Sequence, residues 1–97
     1  MRKIEEICVA LKKLKPEIRE KFKVNEIGVF GSYVREEENV ESDLDILVSF
    51  QEPVGFFTFF ELEEYLSNAL GIKVDLVSKK ALKPRIGKRI LEQVIMV

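Results

Sequence analysis

Three short runs of branched and apolar residues constrain this chain more than any other feature. Glu26-Ile27-Gly28-Val29-Phe30, Asp43-Leu44-Asp45-Ile46-Leu47-Val48-Ser49-Phe50 and Ile72-Lys73-Val74-Asp75-Leu76-Val77 have the length and composition of strands. Stretches of helical period stand around them. Ile4, Ile7, Cys8, Leu11 and Leu14 form one apolar stripe, with Lys and Glu on the other faces. Pro16 is expected to end or kink that helix, and residues 16–22 to restart it. Residues 32–42 are polar and carry Glu36-Glu37-Glu38, which predicts a short helical turn followed by a loop. The stretch from Phe56 to Leu70 reads as a helix. Phe56, Phe59, Phe60, Leu62, Glu63, Leu66 and Leu70 share a mostly apolar face, and Gly71 is placed to cap it. A basic loop, Ser78 to Lys83, leads to a last helix from Pro84 carrying Ile86, Ile90, Leu91 and Val94, with Ile95-Met96-Val97 as a short edge strand. The alternation α-β-α-β-α-β-α predicts an α/β (α+β) domain, a small mixed sheet flanked by helices. At 97 residues it forms a single domain, 1–97.

Composition removes several function classes. Lys+Arg is 16 and Asp+Glu 17, a net charge of -1, so strong nucleic-acid binding by bulk charge is not expected. With no histidine, His-based triads, His zinc sites and His general bases are excluded. Cys8, the single cysteine, has no internal partner; with no apolar run of membrane length and no apolar core near Met1, a cytoplasmic protein is expected.

The remaining chemistry lies in the acids. Asp43 and Asp45 are two apart on a predicted strand, so their carboxylates share a face while Leu44, Ile46 and Val48 point into the core. Adjacent carboxylates repel unless a cation lies between them, and oxygen donors suit a hard divalent ion such as Mg²⁺. A pair of solvated acids at a strand mouth is the plainer alternative. Asp75 lies among Val74, Leu76 and Val77, where an acid calls for a partner: a salt bridge to Lys73 or Arg89, or a shared site with Asp43 and Asp45. Three strand-borne carboxylates on one face would be a ligand set for two-metal phosphoryl transfer. Gly31-Ser32 ends the first strand and opens a turn, offering backbone N–H groups and a hydroxyl to a phosphate, or simply a Ser cap. It faces Asp43 and Asp45 only if the first two strands are antiparallel.

The combined pattern Gly31-Ser32-Tyr33-Val34-Arg35 … Ser42-Asp43-Leu44-Asp45-Ile46-Leu47-Val48, with Asp75 on a later strand, resembles the minimal nucleotidyltransferase (MNT) proteins of the DNA polymerase β superfamily. The resemblance covers nearly the whole chain. One departure is Glu36, where members often carry a small residue, commonly Gly. That bears on the loop and not on the acids. The resemblance implies the polymerase-β-like nucleotidyltransferase fold and transfer of a nucleotidyl group from ATP using two Mg²⁺ ions. Gly31 and Ser32 would hold the triphosphate, Asp43 and Asp45 would ligate the metals, and Asp75 would bind one metal and help activate the acceptor hydroxyl. Arg35 would touch phosphate or pair with the nearby acidic run. Such chemistry rests on alignment and charge neutralisation, so a site without histidine suffices.

The resemblance also implies a partner. MNT relatives act with HEPN-domain proteins as toxin–antitoxin pairs, and some transfer AMP to a tyrosine of the HEPN toxin. The expectation is therefore an antitoxin that adenylylates a HEPN-domain toxin, with a non-catalytic antitoxin that neutralises by binding alone as the alternative. Transfer to RNA or to a small aminated substrate is a third, weaker reading given the near-neutral charge, and a homo-oligomer is compatible with all three. Phe56, Phe59 and Phe60 lie at core spacing and are expected to be buried. Phe57 lies off that stripe and is expected to be exposed, as at a partner interface. The basic stretch Lys79, Lys80, Lys83, Arg85, Lys88 and Arg89 is expected to be solvated surface or to reach the triphosphate or an acidic partner.

Overall fold

A computed structural model describes residues 3–39 and 42–97; Met1, Arg2 and, within the polar stretch, Val40 and Glu41 lie outside the described residues. The elements in chain order are α1 (Ile4–Phe22), β1 (Val24–Phe30), β2 (Leu44–Phe50), α2 (Phe56–Leu70), β3 (Val74–Ser78), a single 3₁₀ turn (Lys79–Ala81), α3 (Pro84–Gln93) and β4 (Ile95–Met96). They build one four-stranded sheet in the order β3-β2-β1-β4. β1 runs antiparallel to β2 and β4, and β2 runs parallel to β3, so the sheet is mixed as expected.

Helix α1 passes through Pro16 without interruption, contrary to the expected break. Its buried stripe, Ile4, Ile7, Leu11, Ile18 and Phe22, continues on both sides of the proline, and tertiary packing outweighs the lost backbone hydrogen bond. Strand alternation divides the sheet into two faces. Ile27 and Val29, Leu44, Ile46 and Val48, and Val74 and Leu76 join the core with α1 and with Leu62, Leu66 and Leu70 of α2. Burying each such side chain contributes roughly 1.5–3 kcal/mol, which is what holds the two helices to this face.

The opposite face carries Asp45, Leu47 and Ser49 beside Phe30, Gly28 and Glu26. It is only partly covered. A Cβ at Gly28 would strike Met96 Sδ, Val94 Cγ2 and the Ile95 carbonyl, so glycine there lets the C-terminal segment close over β1. Strand β3 is an edge, and two of its outward donors are occupied. Ser67 Oγ accepts from Val74 N–H at 3.0 Å, and Glu63 Oε2 accepts from Leu76 N–H at 2.8 Å. These bonds from α2 block edge-to-edge pairing and fix β3 in place beside β2. They also account for an acid on the inner side of α2.

The expected burial of the phenylalanines is corrected. Phe56 and Phe60 are 82% and 55% exposed, and only Phe59 of the three is half-buried; Phe57 is exposed, as expected. The stripe that packs runs Phe59, Leu62, Leu66, Leu70, while Phe56 and Phe60 stack on each other beside it with centroids 6.3 Å apart. Helix α3 packs lightly: Gly87 is its buried residue, Ile86 and Leu91 are exposed, and Val94 lies just past its end. Strands β2 and β3 begin at Leu44 and Val74, slightly later than the sequence predicts, and β1 begins earlier, at Val24.

Candidate active site

The register of three strands assembles the site. Phe30 pairs with Asp45 across β1 and β2, and Asp45 pairs with Asp75 across β2 and β3. Paired residues share a face, so Asp45 and Asp75 stand side by side on the partly open face, next to the end of β1. Asp43, just ahead of β2, is half-buried, and Asp75 is exposed. The approach to Asp43 is braced by Ser42, whose Oγ accepts from Asn39 N–H and whose N–H donates to the Asn39 carbonyl, both at 3.0 Å.

Gly31 follows Phe30 and turns the chain sharply with φ +82°. A Cβ here would collide with Asp45 Oδ2 and lie 2.9 Å from Asp45 Cγ. Glycine is needed twice over, for its left-handed backbone and for the carboxylate lying against it. From Gly31 the chain makes a tight helical turn. Val34 and Arg35 N–H donate to the Gly31 carbonyl at 3.1 and 3.2 Å, and Glu37 N–H donates to the Ser32 carbonyl at 2.9 Å. Tyr33, buried in the core, anchors the turn, and Ser32 is half-buried at its start. The turn closes through Glu36 at φ +58°, the left-handed conformation that glycine would adopt without strain.

The electrostatics agree with this crowding. The Asp45 carboxyl is pushed above its ordinary value by burial first, then by Asp75 and Asp43, with Arg35 pulling in the opposite direction. Burial, then Glu38 and Asp43, likewise raise the Tyr33 phenol. Among the described residues, Asp75 forms no ion pair with Lys73 or Arg89; the pairs present are Arg35–Glu37 and Lys79–Glu26. Arg35 turns to the acidic run, with Nε 3.0 Å from Glu37 Oε2, and its Nη1 donates to Gln93 Oε1 at 3.2 Å. Gln93 Oε1 also accepts from Gly31 N–H at 3.1 Å.

The donor set fits a hard cation. It consists of carboxylate oxygens, one held half-buried among like charges, with a hydroxyl close by in sequence at Ser32. Among the described residues no three acidic or cysteine side chains are gathered so that they could hold a metal ion, so Asp43, Asp45 and Asp75 are not brought together as a complete ligand set. An apolar groove of about 540 Å³ lies instead at the far ends of β2 and β3, between Phe50, Phe56, Phe59, Phe60 and Leu76. Sequence reasoning missed Gln93, Glu63 and Ser67. Only Glu63, an acid within an apolar stripe, carried a signal.

An antiparallel strand pair with a glycine turn at the start of its connection, a parallel third strand bringing a further acid alongside, and helices on the other face define the class of nucleotidyltransferase folds. Residues 11–97 match the nucleotidyltransferase domain family, and the chain belongs to that family. It is 53% identical to protein adenylyltransferase MntA of Thermococcus cleftensis, over 97% of this chain and 95% of that protein. A solved minimal nucleotidyltransferase superposes with a TM-score of 0.78 at 32% identity, covering 93% of this chain and 92% of that one. A toxin–antitoxin structure with AMP-PNP superposes with a TM-score of 0.73 at 27% identity, covering 88% and 69%. The chain is thus an enzyme of the minimal nucleotidyltransferase type, acting on a nucleotide substrate. Among the described residues no helix is long and apolar enough to cross a membrane.

Proposed function

We propose that this protein is a Mg²⁺-dependent protein adenylyltransferase and an antitoxin, moving AMP from ATP to a tyrosine of a HEPN-domain toxin. The observation that carries the reading is the in-register pair Asp45–Asp75 on an open sheet face, with Gly31 made glycine by the Asp45 carboxylate beside it. The curated relative named protein adenylyltransferase MntA, at 53% identity, supports the reaction. The toxin–antitoxin structure with AMP-PNP and an MntA–HpeT toxin–antitoxin complex, at 27% and 26% identity, support the nucleotide and the partner.

In this reading Asp43, Asp45 and Asp75 hold the metal ions. Two Mg²⁺ ions would supply charge neutralisation at the triphosphate and at the attacking oxygen. Gly31 and Ser32 form the turn that receives the triphosphate, and Arg35 stands at its edge. Asp75, exposed on the open face, orients the acceptor hydroxyl and takes its proton. The hydroxyl oxygen forms a bond to the α-phosphorus as the bond to the bridging oxygen breaks, and pyrophosphate leaves with that electron pair.

A second reading, neutralisation by binding alone, is favoured by the exposed Phe56 and Phe57, 82% and 87% accessible on the surface of α2. The test incubates the protein with its HEPN partner and Mg²⁺-ATP and weighs the partner. Mass gains of whole AMP units, absent with Asp75→Asn, support the enzyme. Full neutralisation by Asp75→Asn with no adduct in any sample supports binding alone.

A further inference from the structure

Gln93 is the last residue of α3, and its side chain reaches back to the turn that ends β1. One oxygen, Oε1, accepts from Gly31 N–H at 3.1 Å and from Arg35 Nη1 at 3.2 Å. The amide nitrogen is directed to its own helix, 3.5 Å from the Arg89 carbonyl, which sets which end of the amide faces the turn. Both donors belong to the same tight turn, one at its first residue and one at its fifth. Arg35 is held from its other side by Glu37. A half-buried side chain on a lightly packed helix thus fixes the backbone that lies against Asp45.

Gln93 also decides which donors remain for a ligand. With the Gly31 amide occupied, the next donors of the turn are the Ser32 amide and hydroxyl. Turn bonding starts with Val34 and Arg35, so the Ser32 amide has no carbonyl within the turn to bond. We infer that Gln93 is a positioning residue for nucleotide binding, holding the Gly31 amide and the Arg35 guanidinium so that Ser32 presents its donors to the phosphates. The inference rests on the reading that this turn receives the triphosphate.

Gln93→Met keeps length and helix propensity and removes the acceptor. Hydrogen exchange at the Gly31 amide should speed up by about tenfold, the effect of one lost hydrogen bond, while core amides such as Ile46 hold their rates. Affinity for Mg²⁺-ATP, measured by titration calorimetry, should fall by a similar factor of about ten. Gln93→Glu restores an acceptor and should restore Gly31 protection, which a loss of mere helix packing would not allow. Arg35→Met leaves Gln93 in place and should lose ATP affinity while keeping the Gly31 amide protected. Wild-type affinity or better in Gln93→Met, or loss of Gly31 protection in Arg35→Met, overturns the inference and leaves the nucleotide site standing. Failure of the wild-type protein to bind Mg²⁺-ATP overturns both.

Discussion

Replacing Gly31 with alanine tests the central contact of the site. Two terms oppose the substitution. The first is the backbone: at φ +82° an L-residue costs about 1–2 kcal/mol relative to glycine. The second is the collision of the new Cβ with Asp45 Oδ2, with Cγ only 2.9 Å away. Relieving it requires the carboxylate or the turn to shift, at about 1–3 kcal/mol. Together Gly31→Ala should lower stability by about 2–5 kcal/mol, a large part of the about 5–10 kcal/mol expected of such a domain. In thermal melts the midpoint should fall by roughly 10–25 °C for a chain of this size. The informative measurement is a double-mutant cycle by urea denaturation. In an Asp45→Ala background the collision with Oδ2 and Cγ is gone and only the Cβ at 3.1 Å remains, so Gly31→Ala should cost little more than the backbone part, about 1–2 kcal/mol. Equal costs in the two backgrounds would refute the claim that the Asp45 carboxylate is what makes this position glycine.

Three further outcomes follow from the same geometry. Asp45 binds its proton more tightly folded than unfolded, so its charge works against the fold at neutral pH, and this penalty disappears as pH falls through the folded value towards the unfolded one, about 3.9. Asp45→Asn should therefore gain roughly 0.5–1 kcal/mol at pH 7, the scale of solvent-screened charge pairs, and the gain should shrink on acidification; urea titrations showing it grow would contradict the assignment. Glu36→Gly should raise the urea midpoint by the equivalent of about 0.5–1 kcal/mol, because it removes left-handed strain at φ +58°. Mg²⁺ should raise the melting temperature relative to EDTA, with ATP adding to this only when metal is present, and Asp43→Asn with Asp45→Asn should abolish the response; an unchanged response would place the metal elsewhere.

The strands and their faces were legible because alternation is a local property. Leu44, Ile46 and Val48 needed a core, and that alone oriented Asp45 the other way. For Asp75 the pattern left a salt bridge and a shared site both open, and its register with Asp45 depends on how α2 seats β3 through Ser67 and Glu63, which no local pattern encodes. Periodicity also failed at Phe56 and Phe60. Spacing at i and i+4 says that two side chains share a helix face, not that the face is covered, and at the start of α2 Phe56 and Phe60 stack on each other and stay exposed. Pro16 was misjudged because the penalty of a helical proline is local while the burial of Ile18 and Phe22 beyond it is tertiary. Gly31 was visible as a turn, but its reason, the carboxylate against its α-carbon, appeared only in three dimensions. Gln93, 62 residues from Gly31, left no trace in the pattern at all.

The sheet order has a consequence for how the molecule comes into being. β1 and β2 are neighbours in sequence and pair antiparallel, so Gly31 and Asp45 can meet early, before any crossover through a helix, across the connection of residues 31–43. β3 pairs with β2 in parallel, which requires the chain to cross over through the whole of α2 before a single rung forms. Asp75 therefore arrives beside Asp45 through the slower, long-range closure, and Gln93 reaches Gly31 across a longer loop still. A chain that has paired β1 with β2 but not yet docked α2 holds half of the acidic face and none of its neighbours. Completion of the fold and completion of the site become a single event, and a partly folded molecule has no assembled centre with which to consume nucleotide.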